Sequence, residues 1–369
     1  MKFFYIANVR IPTEKAHGLA IMKMCEAFAK ENINIVLVVP RRLNNLKENP
    51  FDYYGVGKVF NIKKIPVLDL IPWFGKLGFL IEAISFAKIS FLYSIFNKAD
   101  IYYGRDELTL SLLSLFKKNV AWESHTAKNS FWVRILLKRC KKLVVISNGL
   151  KEYYMSLGVP IEKILVAPSG VDVKSFSLDI SKEESREKVG LPQNKTIILY
   201  TGHLYSWKGV DTLAEASSNF DDNTIFIFVG GTDKDVLNFK NNYKNKNNIL
   251  VLGQKRNSEI PYYLKSANLL VLPNSGKEDI SRKYTSPMKL FEYMASGIPI
   301  VTSNLPSIRE IVDESMVYFF EPDNAEDLSK TIKRALLETE GSIEMTNNAY
   351  NLISNYSWEN RAKNILEFI

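Results

Sequence analysis

The chain has 369 residues, long enough for two domains that each bury a core. Its apolar fraction (46%) and charged fraction (24%) are those of an ordinary globular protein, and its two cysteines, Cys25 and Cys140, form no metal or disulfide spacing, so a reducing cytoplasm is the expected compartment. Charge is uneven: residues 1–180 hold 26 Lys and Arg against 15 Asp and Glu, and the remainder 22 against 25, within a net charge of +8. A basic first half calls for an anionic partner. Nucleic acid is disfavoured, because no helix-turn-helix, zinc or RRM pattern is present, and an anionic membrane surface or a lipid-phosphate acceptor fits better.

The N-terminal MKFFYIANVR carries an apolar run too short for a signal peptide and reads as a first strand. The loop PTEKAHG, a helix over LAIMKMCEAFAKEN and a strand over INIVLVVP complete a β-loop-α-β unit, which predicts a parallel sheet. GVGKVF at Gly55 lacks the third glycine of a dinucleotide fingerprint and argues against a nicotinamide dehydrogenase. Residues 65–96 are the most apolar part of the chain, yet Pro72, Lys76, Glu82 and Lys88 leave no clean run of about 20 residues to span a bilayer. Leu77, Leu80, Ile81, Ile84 and Ala87 recur at helical spacing, the pattern of a core-facing helix. The sharper reading is an interfacial helix with Trp73, Phe74 and Phe79 in lipid and lysines on the headgroups. ADIYYGR (99–105) and NVAWESH (119–125) read as further strands, and His125, one of three histidines, falls at the end of the second, where open α/β sheets collect ligands.

In the second half, TIILYTGHLYSWKGVDTLAEA reads as strand, loop and helix, TIFIFVGG as a buried strand, and NNILVLGQKRNSEIPYYLKSANLLVLPN as strand, glycine loop, helix and strand. The most informative stretch is SPMKLFEYMASG, 286–297. Ser286 is expected to be its N-cap and Pro287 its first helical residue; Leu290, Met294 and Ala295 form an apolar face, and Gly297 ends it. The amides of Met288, Lys289 and Leu290 would then point outward at the positive end of the helix, a place for a phosphate. Glu292 lies between one and two turns deeper, where a carboxylate can accept from sugar hydroxyls. The plain alternative is an ordinary capped helix with a solvated glutamate.

YTSPMKLFEYMASGIPIVTSNLPSIREIV resembles the nucleotide-sugar signature of the retaining glycosyltransferases of family 4, which have the GT-B fold. The likeness covers nearly the whole chain and is strongest in residues 140–315. It implies that Glu292 holds the nucleotide ribose, that Lys208 and the residue at His203 face the donor pyrophosphate, and that Lys255 and Arg256 lie where the base and ribose edge pass. It makes His125 the candidate for a contact to the donor sugar near the reacting carbon. It also makes Gly18 a point of close backbone approach to donor or acceptor, against the plain alternative of chain geometry; His17 is a weaker candidate. Two positions depart from the pattern: Tyr284 stands where the family has its first glutamate, with Asp279 or Glu278 as replacements, and His203 stands where it has an arginine. A histidine lacks the fork and permanent charge of arginine, so Lys208 carries more of the charge compensation. Asp233-Lys-Asp235 matches the metal motif of another transferase fold only superficially; it reads as solvated loop, and no metal or other cofactor is expected.

The expected architecture is GT-B, with two Rossmann-like α/β domains facing a cleft. Residues 1–175 form an acceptor-binding domain, 176–354 a nucleotide-sugar domain, and 355–369 a helix returning to the first domain. The expected function is transfer of a sugar, with retention, from a UDP- or GDP-type nucleotide sugar to a glycan or lipid-linked acceptor in envelope or exopolysaccharide biosynthesis. The expected location is cytoplasmic and peripheral at the inner face of the plasma membrane. A non-catalytic GT-B module that binds nucleotide sugar or a partner transferase is the second reading. A nucleotide-sugar 2-epimerase, which needs an acid/base set this chain mostly lacks, is the third.

Overall fold

The computed structural model describes all 369 residues, apart from the side chain of Thr339. It resolves two compact units, Met1–Pro168 with Trp358–Ile369, and Ser169–Ser357. These boundaries differ from the expected ones at 175/176 and 354/355. The reason is local: the Val171 amide donates to the Tyr356 carbonyl at 2.9 Å and the Ser169 amide to the Ser286 hydroxyl at 2.8 Å, which ties the segment after Pro168 into the second unit.

The first unit is a seven-stranded sheet of β1 (Lys2–Ile6), β2 (Asn34–Arg41), β3 (Asn61–Pro66), β4 (Ile101–Gly104), β5 (Val120–Ser124), β6 (Lys142–Val145) and β7 (Ile164–Val166), in the order β3-β2-β1-β4-β5-β6-β7. Every pair is parallel, with Phe4 opposite Val36 on one side and Tyr102 on the other. The alternation of strands and helices in the sequence demands this, because parallel neighbours need a crossover. Strand β3 escapes sequence reading: it is an edge strand whose Asn61, Lys63 and Lys64 are exposed, the polar composition that protects a sheet edge.

The second unit repeats the plan with β8 (Thr196–Thr201), β9 (Thr224–Val229), β10 (Ile249–Gly253), β11 (Leu269–Leu272), β12 (Ile300–Ser303) and β13 (Tyr318–Phe320), in the order β10-β9-β8-β11-β12-β13, all parallel. Both faces are covered. Ile197 and Leu199 enter one core with Leu290, Phe291 and Ile308, while Ile198 and Tyr200 enter the other with Leu213, Phe226 and Leu328. This period-two division of a continuous apolar run is what a parallel sheet buried on both sides requires. Each sheet therefore has a point where strand order reverses, between β1 and β4 and between β8 and β11, and ligands of open α/β sheets bind beyond the carboxyl ends there.

Two expectations about helices are corrected. The helix Ile71–Phe96 does not turn Leu77, Leu80 and Ile84 inward: they are 59%, 54% and 41% exposed, and only Ala87 of the expected stripe is fully buried. The buried residues are Gly78, Glu82, Phe86, Ala87, Ser90 and Ser94. Glu82 explains the orientation, because Arg42 at the end of β2 binds its carboxylate through two contacts of 2.9 and 2.6 Å. By length and composition this helix is long and apolar enough to cross a membrane, which the sequence reading did not expect. The second correction concerns Asp233 and Asp235. They are not solvated loop but the first turn of the helix Asp233–Asn242, in a capping box where Thr232 Oγ accepts from the Asp235 amide and Asp235 accepts from Thr232 N–H.

Candidate functional site

In the second unit the carboxyl ends of β8, β9 and β10 finish in glycine. The Gly202 amide donates to Val229 at 2.9 Å and the Gly230 amide to Gly253 at 2.7 Å, so the three strand ends form a backbone shelf. A Cβ on Gly230 would stand 2.1 Å from the Gly202 carbonyl oxygen, so the shelf closes only with glycine there. Next to it, the short turn Ser206–Lys208 lies against the end of β11. The Ser275 amide donates to the Trp207 carbonyl at 3.1 Å. Gly209, at φ +67°, passes so close that a Cβ would stand 1.8 Å from the Pro273 carbonyl oxygen. These contacts set Lys208 at the β8/β11 reversal point.

Lys208 has no carboxylate partner among the described residues; its Nζ sits 4.0 Å from the Trp207 ring centre. Burial, and then the like charge of Lys289, push its pKa down to about 8. Lys289 itself donates to Glu292 Oε2 at 2.6 Å, and Glu292 is buried. The structure thus brings Lys208, Lys289 and Glu292 together. The pair Lys289–Glu292 is neutral in sum and Lys208 is the uncompensated cation, a group suited to an anion.

The helix that carries Lys289 runs Met288–Ser296 and ends at Gly297 in the left-handed conformation. Its start differs from expectation. Pro287 is the N-cap, with no side-chain cap, and the Ser286 hydroxyl accepts instead from the Ser169 amide, while Ser169 Oγ donates to the Ser286 carbonyl at 3.0 Å. The Leu290 amide is also taken, donating to the Pro287 carbonyl at 2.9 Å. That leaves the amides of Met288 and Lys289 as the helix-end donors without a backbone acceptor among the described residues. Leu290 is wholly buried, as its place on the apolar face requires.

The remaining expected groups are more dispersed. The His203 carbonyl accepts from the Tyr200 hydroxyl at 2.7 Å and its ring stacks on Tyr205 with centroids 4.8 Å apart. Lys255 and Arg256 follow β10, the edge strand two places from the reversal point; Lys255 lies over the Tyr263 ring and Arg256 is exposed. Of the two acids considered as replacements at the Tyr284 position, Asp279 is paired with Arg282 at 2.5 Å on the surface. Glu278 is exposed and lines a cavity of about 130 Å³ with Ser206 and Thr212. Asn274, which sequence reasoning missed, follows β11 and is wholly buried, with neither atom of its carboxamide hydrogen-bonded among the described residues. Its signal was only its place after the apolar run LLVLP.

In the first unit His125 stands just beyond β5, its Nε2 2.5 Å from Glu123 Oε1. Glu123 is the centre of the cluster: Arg105 and Arg361 donate to it at 3.0 and 3.1 Å, and the Tyr103 hydroxyl donates to its other oxygen. Burial raises the Glu123 carboxyl, but Arg105 and Arg361 outweigh it and hold the group well below the usual carboxylate range. An ionised carboxylate only accepts, so His125 Nε2 carries the proton and Nδ1 is left as an acceptor. Burial and Arg105 lower the His125 pKa to about 4, so the ring is neutral near pH 7. Arg105 and Glu123 lay in segments read as strands, but nothing local marked Arg361, which arrives from the helix Trp358–Phe368.

His17 is also held neutral, its pKa lowered to about 4 by burial and then by Arg105. Gly18 lies inside the helix Ala16–Lys30 rather than in the preceding loop. The space left by its missing side chain belongs to Tyr54: a Cβ would stand 2.2 Å from the Tyr54 hydroxyl, which in turn accepts from the Thr13 amide and donates to the Thr13 carbonyl. Gly18→Ala is therefore expected to destabilise the first unit by about 1–3 kcal/mol through overpacking, read as a lowered denaturant midpoint at unchanged slope.

Residues 181–352 match the family model described as Glycosyl transferases group 1. The UDP-Gal:alpha-D-GlcNAc-diphosphoundecaprenol alpha-1,3-galactosyltransferase of Escherichia coli is 30% identical over 187 residues, 47% of this chain and 46% of that protein. The putative teichuronic acid biosynthesis glycosyltransferase TuaC of Bacillus subtilis is 24% identical over 245 residues, 66% of this chain and 59% of that one. The chain spans about half the length of the curated relatives it matches. Among solved structures, HepE of Anabaena, in complex with UDP and glucose, superposes with a TM-score of 0.78 at 14% identity, covering 100% of this chain and 98% of that one. At that identity the likeness is one of fold, and the fold is GT-B: two Rossmann-like α/β units, each built on a parallel sheet.

Proposed function

We propose that this GT-B chain, whose second unit carries the match to glycosyl transferases group 1, is a glycosyltransferase that moves a sugar from a UDP- or GDP-type nucleotide sugar to a glycan or lipid-linked acceptor of the cell envelope. The observation that carries the reading is the uncompensated Lys208 at the β8/β11 reversal point, electrostatically coupled to Lys289 and so to the free amides of Met288 and Lys289. Cleavage of the bond from the anomeric carbon to phosphate builds negative charge on the terminal phosphate of the leaving nucleoside diphosphate. Preorganised cations and amides aimed at that charge stabilise it without reorganising. Glu292, held by Lys289 at 2.6 Å, is the group assigned in this reading to accept from the ribose hydroxyls. The names of the relatives, which include a UDP-galactose-dependent transferase acting on a diphosphoundecaprenol-linked sugar and a teichuronic acid enzyme, support the donor and acceptor classes.

The transfer is proposed to proceed with retention and without a metal ion. The acceptor hydroxyl attacks the face from which the phosphate departs, the new carbon–oxygen bond forms as the phosphate bond breaks, and the acceptor proton passes to the departing phosphate oxygen. No dedicated base is then needed. His125, neutral and with Nδ1 free to accept a hydrogen bond, is proposed to orient a sugar hydroxyl in this step. The test is a thermal shift series with UDP, GDP, ADP and their sugars in EDTA, followed by nuclear magnetic resonance of the anomeric product. A ligand at about 100 times its Kd stabilises by about 2.7 kcal/mol, a visible rise. An inverted product overturns retention, loss of the shift in EDTA overturns metal independence, and silence to every nucleotide overturns the donor site. Binding without release of nucleoside diphosphate would favour the non-catalytic module, a reading to which Tyr284 and the stacked His203 lend weight.

A further inference from the structure

The helix Ile71–Phe96 buries Glu82, Ser90 and Ser94 beside Phe86 and Ala87, while most of the large apolar side chains of its first half are exposed. Its first turn is separate. The Trp73 and Phe74 amides donate to the Leu70 carbonyl at 3.2 and 3.0 Å, and Gly75 at φ +51° then breaks the helix, so two aromatic side chains stand at its start as an exposed pair. Beyond the break Leu77, Leu80 and Ile84 follow one another along one stripe and are 59%, 54% and 41% exposed, and Trp73, ahead of the break, is 66% exposed. Phe116 of the adjoining helix extends the apolar surface, its ring 5.1 Å from that of Phe91. A contiguous exposed apolar surface of this kind marks an interaction site.

Charge selects the occupant. The helix carries three charged residues, and the single acid among them, Glu82, is buried against Arg42. Its exposed charges are Lys76 and Lys88 alone, on a unit holding 27 Lys and Arg against 15 Asp and Glu. A second copy seated on the same face would set lysine against lysine, since a two-fold contact pairs a surface with itself. An anionic bilayer offers what this face lacks: its interfacial zone takes Trp, Phe and Leu, and its lipid phosphates take the lysines.

We propose that this face, centred on Leu77, Leu80 and Ile84, with the exposed Trp73 and Phe74 ahead of the break and Lys76 and Lys88 on the phosphates, seats the first unit on an anionic membrane surface. The seating does not depend on the donor reading, which concerns the second unit. The test is flotation at low salt with vesicles of phosphatidylcholine alone or with phosphatidylglycerol, together with tryptophan emission. Wild type is expected to float with the anionic vesicles only, and the emission difference between wild type and Trp73→Phe is expected to shift to the blue. Lys76→Gln with Lys88→Gln is expected to weaken partitioning about 5-fold per lysine, the equivalent of about 1 kcal/mol each. Leu77→Ser, Leu80→Ser and Ile84→Ser combined, all at exposed sites, should remain folded by circular dichroism and lose flotation. The proposal is overturned if wild type stays in the soluble fraction with anionic vesicles, if the triple variant floats as well as wild type, or if light scattering finds a wild-type dimer that the triple variant dissolves. The UDP thermal shift on the same preparations reports separately on the donor site.

Discussion

Lys208→Ala is expected to lower kcat/KM by about 10²–10³-fold and to abolish most of the thermal stabilisation by the cognate nucleoside diphosphate, while leaving the melting temperature of the free protein nearly unchanged. The size follows from the loss of one preorganised donor to a developing charge. The small effect on the free protein follows from the absence of a carboxylate partner for Lys208 among the described residues, so no buried anion is orphaned. Burial and Lys289 hold this ammonium near a pKa of about 8, which gives the prediction a pH signature. Binding needs the protonated form, so nucleotide affinity should fall as pH rises through about 8 in wild type, and the alanine variant should show no such limb. Lys208→Arg, charged throughout, should bind without the limb; a limb that persists in it would assign the titration to another group.

Glu123→Ala should be the most damaging single change in the first unit, costing about 3–5 kcal/mol, because it leaves Arg105 and Arg361 buried without their shared counter-charge. Calorimetry should show the loss in the transition of the first unit while the nucleotide-dependent shift of the second survives. The acid limb carries two components of the same kind. His125 and His17 stay neutral in the folded protein down to about pH 4. In the unfolded chain a histidine takes up its proton near pH 6.5. The unfolded state therefore binds more protons between those values, and stability falls as pH drops from about 6.5 to about 4. Glu123 is depressed in the folded state, so its stabilisation is present above the unfolded carboxylate value and is lost only as pH falls further, through its folded pKa. In Glu123→Ala the second decline disappears. If the variant keeps the wild-type acid limb below pH 4, the cluster is not its source.

By itself the sequence determined the repeating βα order, and with it parallel sheets, because apolar runs, glycine stops and helical periods are relations among residues a few places apart, whereas the strand order and its reversal points came only with the fold. The position of Lys208 after β8 and the outward amides of Met288 and Lys289 were legible for the same reason, though not the cap or the Leu290 amide. Tertiary structure alone decided what each local signal does. Ser286 has every mark of an N-cap, yet its hydroxyl is taken by the amide of Ser169, 117 residues away. The helix Ile71–Phe96 has an apolar stripe fit for a core, yet Arg42, 40 residues earlier, draws Glu82 inward and turns that stripe outward. The His125 environment is assembled from Arg105, Glu123 and, 238 residues beyond Glu123, Arg361. A buried charge must find its partner wherever the fold brings one, and the energy of that pairing exceeds the preferences of a single helical turn, so these choices leave no trace in the neighbouring sequence.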